Sequence, residues 1–140
     1  MTMVVGAHFD QGIVVIADSR ITLQNPITQR AVSYHDILQK ILPFAPNVAI
    51  AFAGDVDCAA FMFTSLNQLM QQNPEFQDVA VAGPRLGREL QRLHQEFARV
   101  KRAADVAFVL AGFAPGAIDP STGYLFAYLS PVFRPEPIRD

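Results

Sequence analysis

The sequence from Thr2 to Arg20, TMVVGAHFDQGIVVIADSR, decides the fold. Two apolar runs flank the polar, glycine-containing break at residues 10–12, and this pattern is typical of a β-hairpin. The first run begins directly after Met1, although chain ends usually fray unless a sheet holds them. An apolar strand that starts with a threonine at the terminus therefore suggests that the terminus itself has a function.

The composition narrows the class of protein. Hydrophobic residues make up 51% of the 140 positions and charged residues 17%, which favours a chain whose surface is partly covered by neighbouring subunits. The net charge of −2 gives no electrostatic basis for binding nucleic acid. A single cysteine excludes an internal disulfide, and we find no signal peptide and no apolar run long enough to span a membrane. We therefore expect a cytoplasmic protein without nucleic-acid or membrane partners.

The rest of the chain predicts strands, then two helices, then strands. Residues 21–39 are mostly polar and predict a loop, with one short extended piece at Ala31–Tyr34. Strands are expected at 41–44, 48–53, 106–113 and 124–129. Helices are expected from about Val56 to Gln72 and from Pro84, a residue that suits a first helical turn, to Arg102. The layout indicates one α+β domain over residues 1–140, with 130–140 as an irregular tail.

Thr2 carries the groups that nucleophilic catalysis needs, provided that Met1 is removed. Its hydroxyl and its α-amine would then lie on the same residue. An α-amine has an ordinary pKa of about 7.7–8 and can accept the hydroxyl proton near neutral pH. One residue would thus serve as both nucleophile and base.

Three further residues fit around such a nucleophile. Lys40, at the start of a strand, is a cation that would favour the unprotonated amine. Asp18, at the end of the hairpin, can pair with Lys40 and fix its ammonium group. Gly54 lies at a strand-to-helix corner, where its N–H can donate to a developing oxyanion with help from the helix N-terminus.

This set of residues resembles the β-type subunits of the proteasome and their bacterial two-component relatives, which are N-terminal-nucleophile (Ntn) hydrolases. In that family a threonine begins the mature chain and an acidic residue follows sixteen positions later, as Asp18 follows Thr2. The family's lysine precedes the corner glycine by about fourteen positions, as Lys40 precedes Gly54. The resemblance is carried by Thr2, Gly6, Ala17-Asp18-Ser19-Arg20, Thr22, Lys40 and Phe52-Ala53-Gly54.

The resemblance implies a sandwich of antiparallel sheets between outer helical layers (αββα), of which this chain lacks about the C-terminal third. It also implies hydrolysis of peptide or amide bonds by Thr2, with Asp18 and Lys40 tuning the base and Gly54 supplying the oxyanion donor. The implied partners are a peptide or unfolded-protein substrate and further copies of this chain or other proteasome-like subunits. An ATP-dependent unfoldase is a further candidate partner.

The resemblance extends to the binding of substrate. Thr22 and Val56 would align the substrate backbone in the cleft. Phe52, two residues before Gly54, would lie at the base of the pocket for the residue preceding the cut. A side chain as large as phenylalanine indicates a shallow pocket for small or medium residues.

A second interpretation remains open. Threonine is common after an initiator methionine, and Asp18 and Lys40 also fit a strand-end salt bridge. The alternative is a non-catalytic proteasome-like domain that serves assembly or binds extended peptides, with Met1 retained and the α-amine blocked. Neither interpretation requires a cofactor or a metal, because the three histidines lack ligand-like spacing.

Overall fold

The computed structural model describes residues 3–24, 27–28, 30–36, 38–102 and 104–138. These residues form nine strands and two long helices, with short 3-10 turns at Pro74–Gln77 and Pro120–Thr122. The strands are β1 (Val4–Phe9), β2 (Gly12–Ala17), β3 (Arg20–Gln24), β4 (Ala31–Asp36), β5 (Ile41–Ala45), β6 (Val48–Gly54), β7 (Val106–Gly112), β8 (Tyr124–Leu129) and β9 (Glu136–Pro137), and the helices are α1 (Val56–Gln72) and α2 (Val79–Val100).

The first four strands form two antiparallel hairpins. Strands β1 and β2 form the predicted hairpin, with Val5 opposite Ile16 and Ala7 opposite Val14. Strands β3 and β4 pair as well, with an irregularity at Leu23/Gln24. The loop expected over residues 21–39 is therefore wrong. Isoleucine, threonine, valine and tyrosine favour strands, and the polar residues between them concealed the alternation.

A five-stranded antiparallel sheet, in the order β5-β6-β7-β8-β9, forms the centre of the domain. Pro43 lies in the edge strand β5, where the missing N–H of proline is tolerated. Alternate residues point to opposite faces of a strand, and here the side chains on the two faces differ in size. Large side chains pack against the helices, and alanines such as Ala49 and Ala107 alternate with them. The large residues are Ile50, Phe52, Phe108, Leu110, Phe126 and Tyr128.

Both helices begin at an aspartate that caps the first turn. The carboxylate of Asp55 accepts the amide N–H of Cys58 at 2.8 Å, and that of Asp78 accepts the amide of Ala80 at 3.0 Å. Helix α2 thus begins at Val79, five residues before Pro84, which corrects the predicted start. The residues that these helices bury against the sheet are Cys58, Met62, Leu66, Leu86, Leu90, Leu93 and Phe97.

The segment after β8 is more ordered than the irregular tail expected from its three prolines. Phe133 is completely buried, and its carbonyl oxygen lies 2.4 Å from where a Cβ at Gly87 would be. Glu136–Pro137 then pairs with β8 as the last strand of the sheet. The close approach to α2 explains why a glycine at position 87 is needed.

The predicted α+β class is confirmed. The helices cover one face of the five-stranded sheet, and the β1–β2 ribbon packs on the other, where Gly6 lies against Leu125 and Val109. Residues on the outward side of that ribbon are about half exposed, among them Val5 (46%) and Ile16 (58%). None of the helices in those ranges has both the length and the apolar character required to cross a membrane.

Candidate active site

The centre of the candidate site is an ion pair between Lys40 and Asp18. The Lys40 side chain is completely buried, and its Nζ donates to Asp18 Oδ1 at 2.7 Å and to the carbonyl oxygen of Arg20 at 2.6 Å. The Asp18 side chain is 28% exposed. The hydrogen bond from Lys40 is the main cause that lowers the pKa of Asp18 below its ordinary value. A buried ammonium group is thus held by a carboxylate and a carbonyl, as its burial requires.

The same carboxylate contacts the beginning of the chain. The amide N–H of Met3 donates to Asp18 Oδ1 at 3.4 Å, and the amide of Asp18 donates to the carbonyl of Met3 at 3.2 Å. The oxygen that holds Lys40 therefore also lies beside the start of β1. Thr2, the predicted nucleophile, is outside the described residues.

Gly54 lies at the corner between β6 and α1 in a conformation that favours glycine. Its φ is +102°, and a Cβ there would lie 2.2 Å from the carbonyl oxygen of Asp105. That carbonyl accepts the amide of Asp55 at 3.0 Å, which fixes the chain as it enters α1. The amide of Phe52 donates to the carbonyl of Lys40 at 3.1 Å, so the corner strand is joined directly to the residue that carries the buried ammonium.

The three predicted substrate-binding residues have different surroundings. Phe52 is 6% exposed and belongs to the core between sheet and helices. Val56 is the first residue of α1 and is half-buried. Thr22 lies in β3 opposite Tyr34, and its side chain is outside the described part of the structure.

Two backbone carbonyls complete the geometry and were not predicted. The carbonyl of Arg20 is the second acceptor for Lys40, and that of Asp105 anchors the corner beside Gly54. Every residue has a backbone carbonyl, so the sequence does not show which carbonyls accept these hydrogen bonds. Their positions depend on how the strands pair in the fold. Among the described residues, no group of three His, Cys, Asp or Glu side chains is arranged to hold a metal ion.

Two clefts lie outside this site. A cleft of about 540 Å³ is bounded by α2, β8 and β9, and one of about 510 Å³ lies between the ribbon and the β5–β6 end of the sheet. Neither cleft is lined by Asp18, Lys40 or Gly54. The ion pair at the end of the ribbon and the corner at Gly54 therefore lie outside the lining of both clefts.

Comparison with known proteins identifies the fold. No family model matches the sequence, and no curated protein sequence matches it. A solved structure of the Anbu (Gly-1) mutant from Hyphomicrobium sp. strain MC1 matches with a TM-score of 0.67 and 16% identity, over 100% of this chain and 57% of that one. Anbu from Yersinia bercovieri, described as an ancestral beta-subunit, matches with a TM-score of 0.67 and 17% identity, over 96% of this chain and 55% of that one.

These matches correct the predicted identity. The sequence resemblance pointed to a proteasome β-type subunit that lacks its C-terminal third, whereas the similar structures are Anbu proteins, a distinct family, and the first match runs over the whole of this chain. The chain spans a little over half the length of those proteins, 55–57%. At 16–17% identity the likeness concerns the backbone arrangement alone. The chain has an α+β fold similar to that of Anbu.

Proposed function

We propose that the protein hydrolyses peptide or amide bonds, with Thr2 as the nucleophile once Met1 is removed. The observation that carries the proposal is the buried Lys40 ammonium, whose partner Asp18 uses the same oxygen to accept the amide of Met3. Thr2 is bonded directly to that amide. A fixed cation beside the first residues of β1 is what a catalytic α-amine requires, because a nearby positive charge disfavours its protonated form.

The proposed reaction begins when the Thr2 hydroxyl oxygen attacks the substrate carbonyl carbon and the α-amine takes the hydroxyl proton. The resulting oxyanion is stabilised by the Gly54 N–H and by the N-terminus of α1, which begins two residues later. The C–N bond then breaks, and the leaving amine receives the proton from the α-ammonium group. Water hydrolyses the remaining ester by the same route, releasing the carboxylic acid and restoring Thr2.

The proposed substrate-binding roles rest on where the three residues lie within the strands and helix α1. Val56 at the first position of α1 and Thr22 in β3 would bind the substrate backbone on either side of Thr2. Phe52 precedes the corner by two residues and its side chain fills space in the core. A pocket floor supported by that ring would be rigid and shallow, which favours small or medium side chains in the substrate.

We further propose that the single domain acts within an assembly. Copies of this chain or related subunits would surround the site, and a peptide or an unfolded protein would be the substrate. An ATP-dependent unfoldase would deliver folded substrates to such an assembly. The high share of hydrophobic residues, 51%, supports association with other chains.

The test combines the intact mass of the purified protein with hydrolysis of short fluorogenic peptides. We expect a mass lower by one methionine, measurable hydrolysis, and complete loss of hydrolysis in Thr2→Ala with unchanged circular dichroism. Thr64→Ala is the matched control, since the Thr64 hydroxyl only donates to the Ala60 carbonyl on an exposed helix face. Retained Met1, or hydrolysis that survives Thr2→Ala, would exclude Thr2 as the nucleophile.

A non-catalytic domain for assembly or peptide binding is the second candidate. It is favoured by the position of the two clefts, neither of which is lined by Asp18, Lys40 or Gly54. This candidate predicts retained Met1 and no covalent labelling by electrophiles that react with N-terminal threonine. The mass measurement therefore separates the two candidates before any substrate is tried.

A further inference from the structure

The peptide group between Asp105 and Val106 is held at both of its polar atoms. Its carbonyl oxygen accepts the amide N–H of Asp55 at 3.0 Å, and its N–H donates to the hydroxyl oxygen of Ser130 at 3.1 Å. The amide of Ser130 in turn donates to the carbonyl of Val106 at 3.0 Å. The end of β8 and the beginning of α1 therefore meet at one peptide group, where the chain enters β7.

The preceding peptide group is held from helix α2. His94 is 6% exposed, and its Nε2 atom lies 3.0 Å from the carbonyl oxygen of Ala104. Because a carbonyl can only accept, this hydrogen bond requires the proton on Nε2. The His94 ring also packs edge-on against Phe133, with 5.3 Å between the ring centroids. A buried and closely packed side chain thus holds the chain one residue before Asp105.

The corner at Gly54 needs support from other residues, because glycine itself restricts the backbone very little. Gly54 has a φ of +102°, and a glycine adopts positive and negative φ about equally readily. The Asp105 carbonyl oxygen supplies the support. It would lie 2.2 Å from a Cβ at Gly54, and it accepts the N–H of the next residue, Asp55. A shift of this oxygen would let the backbone rotate at Gly54.

The N–H of Gly54 is directed to the edge of β6 on which Lys40 lies. Val106 is the partner of Gly54 in the register, but its N–H and its carbonyl both bond to Ser130. Gly54 and Val106 are therefore a non-hydrogen-bonded pair, and their N–H groups point away from each other. Two residues earlier in β6, the N–H of Phe52 points to the same edge and donates to the carbonyl of Lys40.

We propose that His94 and Ser130 are positioning residues, whose side chains hold the Asp105 carbonyl and thereby orient the Gly54 N–H as oxyanion donor. The inference rests on the proposed function, in which this N–H stabilises the oxyanion, but the positioning itself can be measured without a substrate. An oxyanion donor is effective when it is oriented before the charge develops, and a misplacement of about 1 Å can lower a rate by about 10²-fold.

The first part of the test is hydrogen exchange of single backbone amides, followed by NMR. The Asp55 amide reports on its bond to the Asp105 carbonyl, and the Phe113 amide, at the other end of the β6–β7 pair, is the internal reference. We expect the rate at Asp55 relative to Phe113 to rise about 2- to 10-fold in His94→Phe, which keeps an aromatic ring but has no N–H donor. In His94→Gln, whose side-chain amide is again a donor, the relative rate should return towards that of wild type.

Tyr128→Phe is the matched control for this measurement. It also removes a buried hydrogen bond from a side chain to a backbone carbonyl, in this case from the Tyr128 hydroxyl to Gly83 at 2.6 Å. Gly83 lies in the first half of α2, roughly 16 Å along the helix from His94. The rate at Asp55 relative to Phe113 should therefore be that of wild type in Tyr128→Phe.

The second part is the hydrolysis of short fluorogenic peptides. We expect kcat to fall about 10- to 100-fold in His94→Phe and in Ser130→Ala, with KM changed by less than about twofold, because an oxyanion donor acts in the transition state. His94→Gln and Ser130→Thr, which keeps the hydroxyl group, should recover most of kcat. Tyr128→Phe should leave kcat unchanged.

The two parts separate this inference from the proposed function. A wild-type protein that hydrolyses no peptide would contradict the proposed function, and the exchange of the Asp55 amide would then decide the positioning role alone. That role would be overturned by an unchanged relative exchange rate in His94→Phe or by an equal rise in Tyr128→Phe. In an active protein, an unchanged kcat or a loss confined to KM would overturn it as well. If His94→Phe fails to fold, Ser130→Ala replaces it in both parts, with Ser130→Thr as its rescue and the same deciding outcomes.

Discussion

The Nζ atom of Lys40 lies 2.7 Å from Oδ1 of Asp18, although the two residues are 22 positions apart. Asp18 follows the last residue of β2, and Lys40 precedes the first residue of β5. The ion pair therefore ties the ribbon to the edge of the five-stranded sheet. It also joins the start of the chain to the sheet, because the same oxygen accepts the amide of Met3.

The first prediction concerns the coupling between these two residues. Asp18→Asn removes the carboxylate charge that balances the buried Lys40 ammonium, and should lower the free energy of unfolding by about 1–3 kcal/mol. In the double variant Asp18→Asn/Lys40→Met the loss of stability should be smaller than the sum of the losses in the two single variants. The difference, which is the coupling energy, should be roughly 0.5–3 kcal/mol. Urea unfolding of the four proteins measures this coupling.

A surface ion pair provides the control for that cycle. Asp57 accepts from Lys101 at 3.1 Å, but both side chains are more than half exposed. Asp57→Asn should therefore change stability by less than about 1 kcal/mol. Equal losses in Asp18→Asn and Asp57→Asn would contradict the view that burial of Lys40 makes its partner necessary.

The second prediction is a pH dependence with a defined sign. The pKa of Asp18 is lowered in the folded protein, mainly by the hydrogen bond from Lys40. A lowered carboxyl pKa stabilises the fold fully above the unfolded value of about 3.9, and this contribution is lost as the pH falls through the lower folded value. The stability difference between wild type and Asp18→Asn should thus be constant near neutrality and shrink below about pH 4. Urea midpoints across this range measure it, and a difference that stays constant would refute the assignment.

The third prediction separates two costs of replacing glycine. Gly54 has a φ of +102° and no room for a Cβ, whereas Gly12 has a φ of +140° and no atom within 4 Å of a Cβ. Gly12→Ala should cost only the backbone strain, about 1–3 kcal/mol. Gly54→Ala should cost more, by about 1–3 kcal/mol, since the Asp105 carbonyl must also move. Thermal and urea unfolding measure the stability of the two variants. Equal losses of stability would show that the Asp105 carbonyl beside Gly54 moves at little cost.

Much of the fold could be predicted because its signals are local. The β1–β2 hairpin follows from two apolar runs around a short turn, and α1 follows from the corner at Gly54 and the helical period of the residues after it. The β3–β4 hairpin lacked a clean alternation, so only its second strand was partly recognised. The start of α2 was misplaced because Pro84 resembles a first-turn residue, whereas the cap is Asp78.

The candidate site could be predicted only in part, because the sequence shows its side chains but not the backbone groups that hold them. The sequence places Asp18 at the end of the hairpin and Lys40 at the start of a strand, and their opposite charges suggest the ion pair that the structure shows. The roles assigned to these two residues, to Thr2 and to Gly54 remain predictions. The acceptors that hold the site together are the carbonyls of Arg20 and Asp105, and their positions depend on strands that meet far along the chain.

The contact between α2 and β8 is tight at one glycine. A Cβ at Gly83 would lie 2.1 Å from Cε2 of Phe126, whose ring is nearly buried. Beside it, the hydroxyl of Tyr128 donates to the carbonyl of Gly83 at 2.6 Å. The absence of a side chain at position 83 therefore lets the helix approach the sheet closely enough for this buried hydrogen bond.

Gly83→Ala tests that approach, because helix propensity and packing predict opposite signs. Alanine within a helix is favoured over glycine by about 1 kcal/mol. We nevertheless expect Gly83→Ala to lower the free energy of unfolding by about 1–3 kcal/mol, since a Cβ there overlaps the Phe126 ring and forces either the ring or the helix to shift. In the Phe126→Leu background the smaller side chain should relieve the clash, so that Gly83→Ala is neutral or stabilising there. Urea unfolding of the four proteins measures both effects, and a stabilised Gly83→Ala single variant would show that the ring moves aside at little cost.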